Sequence, residues 1–576
     1  MLMLYRAAAV AAVTASLALG LAPEGVAQPG KADPVKKIAV KDTASAAYAA
    51  LVDLNERVPP GDWPYTRYLS LYEVPKAQRD DHIRVFNFWL NSLSRNAKIY
   101  LATRVPGTDD ALLRINTYDY QWDPKVWDKL AEESRYYLAK QVRTRKVADV
   151  EEYEEPVYKT EKETVLVPDG YGRYTQQVRE KKVLVKTVKK TREVAVRDQQ
   201  ETVLTVGPWI EPRVAADLIQ KTQSVFPVLP AREFLDETSE DKFYGQFLNL
   251  GKTEADFFKV IDADPAAVAR LQSDRQGTVT FSGVTLKNRR LTRLPTRATV
   301  QGGYFWFSTD ARDDVAAKNY LEILLDRGPS NFDATEQIAS LANGLQVYAL
   351  FNNKGERQGE APPDIAGDKS STSNDLRVRN PISCVRCHVD GIIPFKSVFP
   401  QLRKSIRIDA YKRDDLYRLD QLYGSDIHDT FEPDQKVYAA AIKKVAGKEW
   451  TPAKVAQLYA SIYHEWDEQP VTVDVAAADL GVTPAQAKAV LRRSERNTLL
   501  SLVADDPVPI SRGQWKALFP EAAVLLFNSR VKEAEKRAVM PVVEPVRPRP
   551  RVADFEKAFP RHGKTAVAAD VKEDEK

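Results

Sequence analysis

Ser383-Cys384-Val385-Arg386-Cys387-His388-Val389-Asp390-Gly391 holds the only two cysteines of the 576-residue chain, three positions apart and followed at once by a histidine. Two thiols one helical turn apart can each add to a vinyl group of a haem, and the next residue then turns its imidazole to the iron. The stretch predicts one covalently bound haem c, attached through Cys384 and Cys387, with His388 as an iron ligand. Three other chemistries use close cysteines. Structural zinc needs four protein ligands, and the chain has no second pair at a suitable spacing. A thioredoxin-like pair sits where a strand gives way to a helix, whereas Arg379-Asn380-Pro381 leads in as a loop. A disulfide across two intervening residues is strained.

The ligand on the other face of the iron separates a carrier from a catalyst. Methionine gives a high-potential electron carrier, histidine a lower potential, and an open position admits peroxide or small ligands. Of three methionines, Met1 and Met3 lie in the leader, and Met540 stands far beyond the motif in a segment rich in proline and charge. His428, forty residues after His388, lies in Tyr423-Gly424-Ser425-Asp426-Ile427-His428-Asp429 between two helical stretches. It is the candidate second metal ligand, with Asp426 or Asp429 able to orient its ring. His464 falls off the apolar stripe Val455, Leu458, Tyr459, Ile462, Tyr463 and Trp466, which predicts a surface position. His82 and His562 are also expected at the surface. On the proximal side, a carbonyl near Pro394 or Pro400 is expected to hold the second nitrogen of His388. Arg377, Arg379 and Arg403 are expected either on a solvated basic face or beside the haem propionates.

Towards the start, Arg6 and the apolar run Ala7–Ala22 precede Gly25-Val26-Ala27, a small-x-small pattern for leader cleavage before Gln28. Export to the periplasm or cell envelope is therefore expected, with no stable membrane span after cleavage. Thioether attachment takes place outside the bacterial cytoplasm, so leader and motif agree. The balance of 84 basic and 80 acidic residues, net +4, argues against nucleic acid as a partner. With 43% hydrophobic and 28% charged residues, the composition is that of globular domains with a solvated surface.

The expected fold class is multidomain α+β: mixed N-terminal and middle domains, a mainly helical cytochrome-c-like haem segment, and a C-terminal helical unit. A signal peptide at 1–27 and a linker at 28–45 precede an N-terminal α+β domain at 46–145. That domain contains an aromatic-rich helix near Ile83 to Leu93, a strand near Leu112 to Tyr118, and a helix around Trp127. Residues 146–206 form a charged, Val-rich β insertion whose short runs flank a turn at Pro168-Asp169-Gly170. It is read either as a solvated, partly flexible insertion or as an arm for a partner. A middle α+β domain at 207–370 includes strands at Gly302 to Phe307 and Val347 to Phe351. The haem segment spans 371–470, a small helical unit 471–530, and a disordered tail 531–576. Thr451-Pro452 and Thr483-Pro484 are helix-start signatures. Ala476 to Leu491 has a helix-turn-helix pattern with Gly481 at the turn, read as a packing unit.

The chain resembles large exported c-type haem proteins of planctomycetes and myxobacteria. The similarity is carried by Arg67-Tyr68-Leu69-Ser70-Leu71-Tyr72, Asn91-Ser92-Leu93-Ser94, Leu113 to Trp122, Ser282 to Arg289, Asn343-Gly344-Leu345-Gln346, Glu360-Ala361-Pro362, and Leu480-Gly481-Val482-Thr483. The resemblance implies a cytochrome-c-like haem segment within a larger assembly and gives no substrate. Its haem motif maps onto Cys384, Cys387 and His388. The charged arm and the lack of methionine after the motif depart from the pattern.

The function expected from these features is single-electron transfer by an exported monohaem c-type cytochrome acting with an unknown redox partner protein. The alternatives are a peroxidase-like oxidoreductase with an open distal site and a non-redox haem-binding envelope or sensor protein.

Overall fold

Asp42 caps the first described helix. Its carboxylate accepts the Ser45 amide at 2.7 Å, while the Ser45 hydroxyl accepts the Asp42 amide, and this reciprocal cap opens α1, Thr43–Arg57. The computed structural model describes residues 37–536 apart from 134–137, 169–173, 207–210, 264–276, 282–287, 297–302, 311–333, 362–365, 368–376, 394–396, 398, 406–410, 424–430, 495–497 and 506–509. The expected leader, Met540, His562 and His428 lie outside these residues; of the tail expected to be disordered from 531, residues 531–536 are instead helical, continuing the helix that starts at Arg512, and the rest lies outside.

The first sheet joins β1 (Thr66–Ser70), β2 (Thr103–Arg104), β3 (Leu112–Asn116) and β6 (Val228–Pro230) in the order β2-β3-β1-β6. β1 runs antiparallel to β3 and parallel to β6. Helix α2, Arg79–Ser92, is buried from His82 onward except at Arg84, so it belongs to the interior rather than to a surface face. Trp89 stacks on Tyr244, packs on Tyr459 with ring centroids 4.7 Å apart, and donates its indole N–H to Thr238 at 2.7 Å. His82, expected at the surface, is buried, with Nδ1 2.9 Å from the Gln78 carbonyl. Burial lowers its pKa below the ordinary histidine value. The aromatic character of α2 marks it as apolar, but not that His82, next to the exposed Asp80 and Asp81, is covered too.

Between α3 (Pro124–Glu133) and α4 (Pro212–Thr222) the chain leaves this sheet and returns through two strands, β4 (Leu138–Pro168) and β5 (Tyr174–Val206). They pair antiparallel along their whole length, with register shifts at Asp149/Val150 and Val157/Tyr158. The Val-rich runs expected as short strands are therefore segments of two long ones. At ~3.4 Å per residue the ribbon is roughly 100 Å long.

Helices α5 (Ala231–Thr238), α6 (Asp241–Leu248) and α7 (Glu254–Val260) lead to a six-stranded antiparallel sheet. Its strands are β7 (Gly277–Phe281), β8 (Asn288–Thr296), β9 (Gly303–Asp310), β10 (Ala334–Ser340), β11 (Gln346–Asn352) and β12 (Arg357–Gln358), in the order β12-β11-β10-β9-β8-β7. The strands expected around Phe305 and Tyr348 are β9 and β11. Helices α8 (Ile382–Cys387), α9 (Phe399–Ser405), α10 (Arg413–Tyr423), α11 (Phe431–Ala446) and α12 (Pro452–Glu468) follow. The chain ends its described course with β13 (Pro470–Val471), α13 (Val473–Asp479), α14 (Pro484–Leu491), α15 (Thr498–Asp505), β14 (Ile510–Ser511) and α16 (Arg512–Lys536). Thr451 and Thr483 cap α12 and α14 with a proline next in line, as the sequence predicts. Gly481 turns between α13 and α14 with a φ of 57°.

The chain is thus α+β. One hydrophobic core runs through Leu69, Phe234, Phe305, Tyr348, Cys384, Tyr459 and Leu526, so 46–145, 207–370, 371–470 and 471–530 all contribute to it. Among the described residues, no helix is long and apolar enough to cross a membrane.

Candidate functional site

The cysteine pair sits on α8, a helix of six residues held at its start by long-range bridges. Asn380 donates its amide to the Gly359 carbonyl, Ala361 donates to Val378, and Pro381 bridges Glu240. The Ser383 hydroxyl accepts the Arg379 amide at 3.0 Å. Asp241, at the first turn of α6, accepts from Asn380 Nδ2 at 2.8 Å and from Arg357 Nη1 at 2.7 Å through the same Oδ1. Asn380 turns its own side-chain oxygen to Cys384 Sγ, 3.6 Å away. A chain of polar contacts therefore runs Arg357, Asp241, Asn380, Cys384. The Arg357 guanidinium lies close over Gly245, so a side chain at position 245 would force the guanidinium to move off Asp241.

Cys384 is buried, Cys387 half-buried, and both are thiols rather than a disulfide. Burial pushes the Cys384 thiol well above its ordinary pKa, with the charges of Glu336 and Cys387 adding to the rise. A dithiol oxidoreductase needs the opposite shift at its leading cysteine. Burial of Cys384 thus does not favour a thioredoxin-like role.

His388 follows α8 directly. Its amide donates to Cys384 O at 2.8 Å, and the chain then turns back so that Gly391 N reaches His388 O at 2.9 Å. Gly391 has a φ of +95°, where glycine is favoured, and a Cβ there would meet Tyr438 Cδ1 at 3.2 Å. This turn sets the Gly391 carbonyl 3.1 Å from His388 Nδ1. A carbonyl only accepts, so Nδ1 carries the proton, and in the neutral ring Nε2 carries the lone pair for a metal. The expected carbonyl near Pro394 or Pro400 is thus replaced by that of Gly391. Three residues suffice for the return because a glycine makes the turn.

The surroundings of His388 come from β11, β9 and α11. The Tyr348 ring lies 6.1 Å from the imidazole, tilted by 36°. Tyr348 donates its hydroxyl to Gln346 Oε1 at 2.9 Å, and Gln346 Nε2 donates to the Tyr304 hydroxyl at 3.0 Å. Gln435 of α11 donates to the Ile392 carbonyl at 3.1 Å. Helix α11 is pinned to the sheet where Trp306 stacks on Phe431, 4.9 Å between centroids, and donates to Asp434 at 2.7 Å. Burial raises the pKa of Tyr348 well above the usual tyrosine range, so it is a neutral neighbour.

His464 is not a plain surface residue. It is half-buried on α12, and its Nε2 lies 3.1 Å from Arg386 Nη1, inside the motif. The stripe of α12 predicts the opposite because periodicity describes one helix alone, whereas α8 packs across α12 at this turn. The three candidate arginines each face a carboxylate: Arg377 with Glu360 at 3.6 Å, Arg379 with Glu240 at 3.9 Å, and Arg403 with Asp420 at 2.7 Å. His428 lies outside the described residues, so only the Cys384, Cys387 and His388 half of the expected site is described. Sequence reasoning missed Asp241, Gln346 and Tyr348, all distant partners, and the contact of Asn380 with Cys384 four positions on. It also missed the role of Gly391, although a glycine three residues past the histidine is a readable turn signal. Among the described residues, no group of three or more His, Cys, Asp or Glu side chains is arranged to hold a metal ion.

Set against known proteins, the chain matches no family model, and no curated protein or solved structure matches it.

Proposed function

We propose that the chain is an exported monohaem c-type cytochrome that transfers single electrons in the periplasm or cell envelope to or from a partner protein. The observation that carries this reading is the His388 turn: two thiols one turn apart, then an imidazole whose Nδ1 is fixed by the Gly391 carbonyl. That donor set fits a haem, which bonds covalently to two thiols and coordinates one imidazole nitrogen. Bound there, haem supplies a one-electron ferric/ferrous couple. Cys384 and Cys387 hold it, His388 orients its ring through Gly391, and Tyr348, Gln346 and Tyr304 pack the proximal side with neutral groups. The resemblance to large exported c-type haem proteins points the same way. His428 remains the candidate for the other face.

The test is production in a host that exports and attaches haem, followed by denaturing extraction and mass analysis. The expected result is one haem retained by the unfolded chain and none retained by Cys384→Ser/Cys387→Ser. A wild-type chain without covalent haem under those conditions overturns the proposal. Visible spectra of the reduced protein with and without carbon monoxide then separate carrier from peroxidase-like enzyme, and His428→Ala tests the distal ligand.

A further inference from the structure

Over its outer half the ribbon of β4 and β5 has two unlike faces. Directly opposed residues of an antiparallel pair share a face. One face carries Lys159 with Val183, Glu161 with Lys181, and Glu163 with Arg179. Its valines, Val165, Val167 and Val183, are half-buried beside those long charged side chains. The other face carries Tyr158 with Leu184, Thr160 with Lys182, Lys162 with Glu180, Thr164 with Val178, and Leu166 with Gln176. On this face the apolar side chains stand open: Tyr158 is 56% exposed, Leu166 62%, Val178 63% and Leu184 54%. An isolated two-stranded ribbon is marginal in water, and an open apolar face adds to that deficit.

Charge says what fits the face. Followed inward past Pro156, this face of β4 carries Glu152, Glu154 and Lys162, and β5 carries Lys189, Lys182 and Glu180, with Lys189 opposite Glu154 and Glu180 opposite Lys162. We propose that a second copy of this chain packs its ribbon against this apolar face, the two arms pointing the same way about a two-fold axis that runs along them. That rotation lays β4 over β5 of the other copy at equal height, so each side chain meets, on the other copy, the residue that opposes it in its own ribbon. Tyr158 then meets the partner's Leu184, Lys162 the partner's Glu180, and Thr164 the partner's Val178. A two-fold axis across the arms, or edge-to-edge pairing about a two-fold, instead sets β4 on β4 or β5 on β5 and does not bring Lys162 over the partner's Glu180. The contact from Tyr158 to Pro168 is about 34 Å long. The inference does not depend on the haem reading.

Sedimentation of the full chain tests it, with a concentration-dependent dimer expected. K162E or E180K alone places like charges across the contact and weakens association about tenfold or more. Mixing the two variants restores it as a heterodimer. The carboxylate placed at 162 then faces the lysine placed at 180 of the other chain, while each chain's own cross-strand pair stays like-charged. Y158S lowers association as well, and unchanged unfolding of the body checks that each variant is folded. A chain that stays monomeric up to about 100 µM, where even a weak specific contact forms, overturns the proposal. So do single charge variants that dimerise as wild type, or mixtures that fail to recover.

Discussion

The segment 382–392 and the ribbon at 152–191 treat apolar side chains in opposite ways. In the first, Ile382, Cys384, Val385 and Ile392 are buried in the common core, and both ends of the segment are tied to distant residues, Asn380 to Gly359 and Ile392 to Gln435. In the second, valine, leucine and tyrosine face outward on a sheet two strands wide, held by cross-strand pairs and ion pairs such as Lys190 with Glu155. Cross-strand pairs contribute about 0.2–1 kcal/mol each, whereas a buried aromatic side chain contributes several times that. The body therefore carries the stability, and the ribbon is free to carry surface chemistry.

The largest expected effect that would break this contrast is in the body. Trp89→Ala removes the ring against Tyr244 and Tyr459 and leaves the Thr238 hydroxyl without its indole donor. A loss of about 3–5 kcal/mol is expected from urea unfolding, and a loss below about 1 kcal/mol would mean that the core is as loosely held as the ribbon.

A second test uses pH. Glu73 is buried, and its carboxyl is pushed up to about 7, mainly by desolvation, with Arg512 opposing the shift and Asp479 adding to it. The folded chain then binds more protons than the unfolded one between about 4.5 and 7, so this group's contribution to stability falls as pH rises across that window. Unfolding at a series of pH values should show that slope, and Glu73→Gln should flatten it. An unchanged slope in the variant would remove Glu73 as its source.

The smallest effect belongs to the ribbon. Leu166→Ala should change unfolding free energy by no more than about 0.5 kcal/mol. A larger loss would show that the outer ribbon is part of the cooperative unit.

The sequence made local rules legible. The caps at Thr451 and Thr483, the strands around Phe305 and Tyr348, and the motif at Cys384, Cys387 and His388 depend on near neighbours. What it hid is distance. Nothing near Asn380 announces Asp241, which lies 139 positions earlier. The stripe on α12 placed His464 outward because a helix's own periodicity cannot show what crosses it. The ribbon reads as short strands because charged residues interrupt the valine runs, yet charge does not end a strand neither of whose faces packs on the body over its outer half. The proximal turn was half visible, since the glycine stood in the quoted stretch and only its carbonyl's target required three dimensions.

The depth of Cys384 also sets an order of events. Its side chain ends 4% exposed, behind Asn380 and within the core that α6, β11 and α12 close. A reagent or enzyme that must form a bond to that sulfur reaches it only while the chain is open. Reactivity at this sulfur is therefore confined to the open chain, and the closed body shields it from reagents in solution.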